Sequence, residues 1–248
     1  MLSILVYGLL LAGSVWNGIS ASPFDRIIGG SNAGVGQYPH QVSLQNHGGH
    51  YCGGSIIGKS WILCAGHCIG SDIMSSAIVV GITQLSERGQ RFAIYGGVVH
   101  QQFNPNTLQN DISLIQINGN IVTSNLVRPI SLASVEPPDN AMLVLSGWGY
   151  TTYPPQGTPN NLQQIALYKI SLNQCAQSLP NQPVYSGNLC TFAGTGQGAC
   201  NGDSGGPLTY NGVQVGVVSW GIPCARGVPD VFTSVPAFRS WITANIGI

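Results

Sequence analysis

Short apolar runs separated by glycine and proline dominate this chain and limit the folds open to it. Its 248 residues include 34 Gly and 15 Pro, the residue types that most often mark turns and end helices. The runs between them are rich in Val, Ile and Tyr, which favour strands. We predict strands at 41–44, 77–82, 91–99, 112–117, 142–145, 162–170 and 213–220. So many short strands are typical of an all-β barrel or sandwich.

The C-terminal segment departs from this pattern. Pro236 suits the first turn of a helix. Phe238, Trp241, Ile242 and Ile246 then recur at a spacing that gives a helix one apolar face. We therefore predict a single helix at the C-terminus.

Composition excludes several classes of protein. Apolar residues make up 44% of the chain, and eight basic residues balance eight acidic ones. This apolar content can bury a full core, so a disordered polyion is excluded and one globular domain is expected. The basic residues are scattered singly and form no stripe for a phosphate backbone, so we expect no nucleic-acid partner.

The N-terminal twenty residues have the features of a secretory signal peptide. An apolar run at 2–12 is followed by small residues near Ser20. The alternatives are a membrane anchor or a core helix, but the run is shorter than the ~20 residues that span a bilayer. We predict cleavage before Ala21, a secreted, extracellular product, and no membrane association after signal removal.

Seven cysteines suit the oxidising compartment that secretion implies. They predict a disulfide framework with one thiol left over, and spacing alone cannot choose the pairing. A metal site is the weaker alternative, because Cys64 and Cys68 flank His67 without the paired C-x-x-C spacing of structural zinc sites. We predict no metal and no cofactor.

Three segments carry residues suited to nucleophilic catalysis. CNGDSGGP (200–207) places a serine among glycines, which let backbone amides approach a reacting carbonyl. WILCAGHC (61–68) supplies a histidine and NDISLIQI (110–117) an aspartate. The order His, Asp, Ser differs from that of lipases and esterases, in which the acid and the histidine follow a G-x-S-x-G serine.

These segments occur with IIGG, CGGSII, SGWG and VSWG in one order from Ile27 onward. In this the chain resembles the trypsin-like and chymotrypsin-like serine proteases, among them invertebrate digestive chymotrypsins and serine collagenases. The resemblance implies an all-β, chymotrypsin-like fold of two packed six-stranded antiparallel β-barrels with a C-terminal helix. The first barrel would end near Arg128, and the active site would lie in the cleft between the barrels.

The resemblance also implies the role of each residue. Ser204 is expected to attack the peptide carbonyl, with His67 as general base and then acid, and Asp111 orienting the imidazole. The backbone N–H groups of Gly202 and Ser204 would form the oxyanion hole. Main-chain atoms of the VSWG strand would hold the substrate, through Ser219, Trp220 and Gly221. His50 matches a family position near the cleft floor, and we assign it no role in turnover.

Activation by proteolysis is a further implication. The resemblance divides the chain into a signal peptide (1–20), an activation propeptide (21–26) and a peptidase domain (27–248). Cleavage of the Arg26–Ile27 bond would free an ammonium group on Ile27. We expect that group to pair with Asp203, because two buried opposite charges compensate each other's lost hydration.

Substrate specificity is left open between two alternatives. Trypsins have an aspartate at the base of the pocket, where this chain has Gly198. If Asp230 points into the pocket, it can pair with a basic substrate side chain, while Gly198, Ala199 and Gly221 leave room for large apolar ones, and specificity is broad. If Asp230 faces solvent or caps a turn, the pocket is open and apolar, of chymotrypsin type.

Disulfide pairing also follows from the resemblance, which implies Cys52–Cys68, Cys175–Cys190 and Cys200–Cys224. Cys64 is then unpaired, and we expect it to be buried as a small hydrophobic residue behind His67.

The expected partners are protein or peptide substrates, an activating protease and protein inhibitors, with the enzyme itself a monomer and its role digestive. A protease-fold binding protein that has lost activity is the alternative. It is disfavoured because Ser204, His67 and Asp111 are all present.

Overall fold

The computed structural model describes residues 27–47, 49–222 and 224–247. The proposed signal peptide (1–20) and the proposed activation propeptide (21–26), which ends at Arg26, lie outside these residues. Within them the chain forms fourteen strands and two α-helices. No helix in the described part is long and apolar enough to cross a bilayer.

The first barrel closes from six antiparallel strands in the order β2-β3-β4-β7-β6-β5. Their inward side chains, among them Leu44, Ile62, Ile78 and Leu114, are fully buried in one apolar core. The strands are β2 (Gln41–Asn46), β3 (Gly49–Ile56), β4 (Trp61–Cys64), β5 (Ala77–Val80), β6 (Gln90–Val99) and β7 (Ser113–Ile117).

The second barrel closes in the order β9-β10-β11-β14-β13-β12, with β12 pairing back to β9. Its core includes Leu143, Leu145, Leu167 and Phe232. The strands are β9 (Met142–Gly147), β10 (Gln163–Ile170), β11 (Asn188–Phe192), β12 (Pro207–Tyr210), β13 (Val213–Trp220) and β14 (Asp230–Ser234). Two short strands extend it: β1 (Ser31–Asn32) pairs with β10, and β8 (Ser131–Leu132) runs parallel to β13.

The predicted all-β fold of two six-stranded barrels with a C-terminal helix is confirmed. Every predicted strand region contains a strand, and the C-terminal helix follows a 3-10 turn at Pro236–Phe238 as α2 (Arg239–Ile246). Helix α1 (Leu172–Ser178) was not predicted. It begins at a capping box, in which Ser171 and Gln174 exchange side-chain and backbone hydrogen bonds.

Seven of the described strands lie outside the predicted regions: β1, β3, β4, β8, β11, β12 and β14. The longest of them, β3, carries two adjacent glycines in its interior. The first of these glycines, Gly53, allows the two barrels to approach each other. A Cβ on Gly53 would lie 2.9 Å from the Cα of Gly206, and the Gly53 N–H donates to the carbonyl of Ser204 at 2.7 Å. The serine loop of the second barrel is thereby held directly against the first.

Candidate active site

His67 and Asp111 are brought together by the pairing of β4 with β7. His67 lies in a 3-10 turn directly after β4, and Asp111 lies just before β7. The imidazole Nδ1 lies 2.7 Å from Asp111 Oδ2, and the His67 backbone N–H donates to Asp111 Oδ1 at 2.8 Å. Both carboxylate oxygens therefore hold the histidine, which fixes the ring and leaves Nε2 free for a proton transfer.

Asp111 is fully buried, and the second barrel completes its hydrogen bonds. The Ser219 hydroxyl donates to Oδ2 at 2.6 Å, and the Thr233 hydroxyl donates to the Asp111 carbonyl at 2.6 Å. A buried carboxylate needs such donors to offset its lost hydration. Ser219 thus links the site to strand β13, a contact that sequence reasoning did not predict for this residue.

Ser204 lies in the loop before β12, in contact with the segment that leads into His67. A Cβ on the next residue, Gly205, would lie 2.4 Å from Cys64 Sγ and 3.2 Å from the Ala65 nitrogen. Among the described residues no hydrogen bond joins Ser204 Oγ to His67 Nε2. Such bonds often tighten only when substrate is bound.

Gly202 holds a backbone conformation that favours glycine, with φ of +100°. The carbonyl before it, on Asn201, accepts from the Tyr150 N–H at 2.9 Å, and its own carbonyl lies 2.9 Å from His50 Nε2. The peptide groups on both sides of Gly202 are thus anchored. His50, which the resemblance placed near the cleft floor and to which we assigned no role in turnover, contacts the proposed oxyanion loop directly.

A cavity of about 200 Å³ opens beside Ser204. Asp230 lies in its wall and is 8% exposed. The Ala199 N–H donates to Asp230 Oδ2 at 2.8 Å. The cavity is lined by Ala199, Cys200, Asn201, Ser204, Val218, Ser219, Trp220, Gly221, Cys224 and Asp230.

The carboxyl of Asp230 fills the space that two glycines leave. A Cβ on Gly198 would lie 2.6 Å from Oδ2, and one on Gly221 would lie 3.0 Å from Oδ1. The acid therefore occupies the space directly beside Gly198 and Gly221. Asp230 is buried and lines the cavity beside Ser204 rather than facing solvent.

Burial raises the pKa of Asp230 to about 7. The Ala199 N–H opposes this shift by stabilising the carboxylate, and the charge of Asp203 adds to it. The pocket therefore holds an acid that changes charge near neutral pH.

Asp203 and Ile27 are both fully buried in the second barrel. Asp203 accepts from the backbone N–H groups of Gly149 and Cys200, at 2.8 and 3.0 Å. Within the described residues no cation pairs with it, and burial raises its pKa to about 6. Ile27 packs in the apolar core of the same barrel. The carbonyl of the following residue, Ile28, accepts from the Gly198 N–H of the pocket region at 3.1 Å.

Three disulfides hold the loops around the site: Cys52–Cys68, Cys175–Cys190 and Cys200–Cys224. These are the pairs that the resemblance implied. Cys52 and Cys68 also cluster with His67, but their sulfurs are bonded to each other and offer no thiolate to a metal. Cys64 is a free, fully buried thiol whose pKa burial raises to about 12.

Comparison with known proteins shows relatives that share the sequence and the fold of this chain. The trypsin family profile matches residues 27–242. Trypsin delta of Drosophila melanogaster is 39% identical over 240 residues, covering 95% of this chain and 94% of that protein. Chymotrypsin-2 of Vespa crabro is 40% identical over 227 residues, covering 88% and 99%.

Among solved structures, mouse neuropsin, a serine protease expressed in the limbic system of the brain, superposes with a TM-score of 0.83 at 29% identity. The match covers 88% of this chain and 98% of that one. The chain belongs to the trypsin family and is a chymotrypsin-like serine endopeptidase.

Proposed function

We propose that this enzyme cleaves peptide bonds with Ser204 as nucleophile, His67 as general base and then acid, and Asp111 as the group that orients His67. The observation that carries the proposal is the set of hydrogen bonds by which Ser219 and His67 share the buried Asp111 carboxylate. A serine hydroxyl is a poor nucleophile until a base removes its proton. His67 Nε2 is the basic atom left free for that task.

In the first half-reaction, Ser204 Oγ bonds to the peptide carbonyl carbon while its proton passes to His67. The oxyanion accepts hydrogen bonds from the backbone N–H groups of Gly202 and Ser204, each worth roughly 3 kcal/mol of barrier. His67 then gives its proton to the leaving amine, and an acyl-enzyme remains. Water, activated by His67, hydrolyses this ester and restores the Ser204 hydroxyl.

We further propose that the pocket accepts both basic and large apolar side chains. Asp230 supplies a carboxylate for lysine or arginine, and Ala199, Val218 and Trp220 supply apolar surface. The main chain of Ser219–Gly221 would pair with the substrate backbone, as an extended peptide adds to a strand edge. Substrates of these classes are the partners that the site suits.

Activation by cleavage of Arg26–Ile27 is part of the proposal. The new ammonium group on Ile27 would reach the Asp203 carboxylate, which is buried without a cation among the described residues. The ion pair would stabilise the loop that carries Gly202 and Ser204. We also propose that residues 1–20 are a signal peptide and that the enzyme is secreted, as the sequence pattern indicates. The enzyme would act as a monomer in digestion, under the control of an activating protease and protein inhibitors.

Replacing the nucleophile tests this function. The chain cut after Arg26 should hydrolyse peptide substrates, Ser204→Ala should not, and Ser134→Ala, at an exposed serine, should match the native enzyme. Turnover retained by Ser204→Ala would refute the nucleophile assignment. Absence of turnover in the native, cleaved chain would instead favour an inactive binding protein.

A further inference from the structure

A chain of four hydrogen bonds links strand β6 to the proposed oxyanion loop. Arg91 Nη1 donates to Gln45 Oε1 at 2.8 Å, and Gln45 Nε2 donates to Ser43 Oγ at 3.1 Å. Ser43 Oγ lies 2.8 Å from His50 Nδ1, and His50 Nε2 lies 2.9 Å from the carbonyl oxygen of Gly202. We call these five residues the polar relay. Gln45 and Ser43 are buried, whereas Arg91 is exposed.

The two ends of the polar relay determine its direction. A guanidinium has only donors, and a carbonyl oxygen only accepts. His50 must therefore carry its proton on Nε2 and accept at Nδ1 from the Ser43 hydroxyl. The Ser43 oxygen in turn accepts from the Gln45 amide, whose oxygen faces Arg91. All four bonds point the same way, and bonds aligned in this manner polarise and strengthen one another.

The last hydrogen bond of the polar relay, from His50 Nε2 to the Gly202 carbonyl, helps to hold Gly202 in position. In a trans peptide the N–H and C=O groups point in opposite directions. The Tyr150 N–H, bound to the Asn201 carbonyl, therefore sets the direction of the Gly202 N–H. His50 fixes the next peptide group through the Gly202 carbonyl. If His50 lost that bond, one of the two anchors of this glycine would be released.

We propose that Arg91 and Gln45 are positioning residues for the oxyanion hole. They act through Ser43 and His50, by keeping the proton of the imidazole on the nitrogen that faces Gly202. The inference rests on the proposed function, because the oxyanion hole is part of that proposal. Neither residue belongs to the triad or lines the specificity pocket.

The surroundings of His50 keep its ring neutral. Burial lowers its pKa to about 4, although the bond to the Gly202 carbonyl opposes the shift. Its ring packs against Trp148, with centroids 5.6 Å apart. Arg91 carries the charge at the start of the polar relay, and Asp203, which follows Gly202 in the chain, has its carboxyl occupied by backbone donors. The position of one proton on a neutral ring therefore decides which bonds His50 makes.

Gln45→Glu tests the proposal by reversing the polar relay. A carboxylate at this position can accept from Arg91 and also from the Ser43 hydroxyl. The Ser43 oxygen must then accept from His50 Nδ1–H. The imidazole keeps its bond to Gly202 only if it gains a second proton; when neutral it must give up one of its two bonds.

The first readout is the NMR titration of His50, made in a Ser204→Ala background that cannot digest itself. A His50→Gln spectrum assigns its signal among the five histidines. Gln45→Glu should raise the pKa of His50 from about 4 toward the ordinary value of about 6.5. Arg91→Leu, which frees the Gln45 amide to turn, should shift it in the same direction by less. Arg91→Lys, which keeps a donor, should not.

The second readout is the pH profile of kcat in chains with Ser204 intact. At acid pH, where His50 is doubly protonated, kcat of Gln45→Glu should be closest to that of the native enzyme. As the pH rises past the new pKa of His50, kcat of the variant should fall about tenfold relative to the native enzyme. Arg88→Leu, at a neighbouring exposed arginine, is the control and should change neither readout.

A merely structural defect would lower kcat by the same factor at every pH. That result, or a His50 pKa unchanged in both Gln45→Glu and Arg91→Leu, would overturn the proposal. If the native enzyme hydrolysed no peptide, the proposed function would fail, and the NMR titration would still decide whether the polar relay has the stated direction. Should Gln45→Glu fail to fold, the surface variant Arg91→Leu tests the same proposal through both readouts.

Discussion

Asp230 should make the choice of substrate depend on pH. The relevant quantity is the ratio of kcat/KM for cleavage after arginine to kcat/KM for cleavage after leucine. Only the ionised carboxylate attracts a basic side chain, whereas a leucine side chain carries no charge for it to attract, so cleavage after leucine should not follow the titration of Asp230. Because both substrates use the same triad, its titration cancels in the ratio. What remains is the titration of Asp230 in the free enzyme, since kcat/KM reports the groups of that form.

The magnitude follows from burial. With a pKa of about 7, the ionised share of Asp230 is about 9% near pH 6 and about 91% near pH 8. The ratio should therefore rise about tenfold over this interval. The sign is fixed because an acid is mostly ionised on the alkaline side of its midpoint, and burial of Asp230 places that midpoint near neutral pH.

The assay uses a pair of peptides that differ only in the residue before the cut, measured from about pH 6 to about pH 8. Asp230→Asn is the matched control, because its side-chain oxygen can still accept from the Ala199 N–H. It should lower cleavage after arginine, spare cleavage after leucine and give a flat ratio. A flat ratio in the native enzyme, or an equal rise in Asp230→Asn, would show that the ionisation of Asp230 does not control the choice of substrate.

Three other predictions follow from the same structure. Arg26→Gln should leave the precursor inactive when trypsin is the activator, and activity appearing at the normal rate would contradict the proposed cleavage site. The Cys64 thiol, buried with its pKa raised to about 12, should resist iodoacetamide in the native enzyme and react after unfolding, as mass spectrometry can show. Gly205→Ala should lower the melting temperature more than Gly212→Ala: both glycines have positive φ, but only at Gly205 would the new Cβ meet Cys64 Sγ, at 2.4 Å. Equal losses would mean that this packing contact does not matter.

The sequence predicts the fold well where pattern and motif agree. The glycine-punctuated apolar runs correspond to barrel strands, and the C-terminal helix begins near Pro236 as expected. Strand β3 was missed because Gly53 and Gly54 lower strand propensity, although Gly53 is needed for the contact between the barrels and Gly54 for packing inside the first barrel. Helix α1 was missed because its seven residues lack a clear apolar period; only the capping pattern from Ser171 to Gln174 marked it.

The candidate site was predictable as a set of residues but not as a set of contacts. Sequence blocks identify His67, Asp111 and Ser204, whereas the placement of Asp230 depends on the path of the loop after Cys224. Only coordinates show that its carboxyl occupies the space beside Gly198. The sequence did not predict the polar relay for a similar reason. Arg91 and Gln45 are 46 positions apart and meet only because strands pair within the first barrel.

The central claim is that Ser204 is the nucleophile, and covalent labelling tests it most directly. The chain cut after Arg26 should be treated with a fluorophosphonate and mapped by peptide mass spectrometry. We expect one phosphonylated residue, Ser204, with loss of hydrolysis in proportion to labelling and no labelling in His67→Ala. Inactivation with the label on another residue, or full hydrolysis by enzyme whose Ser204 is completely modified, would contradict it.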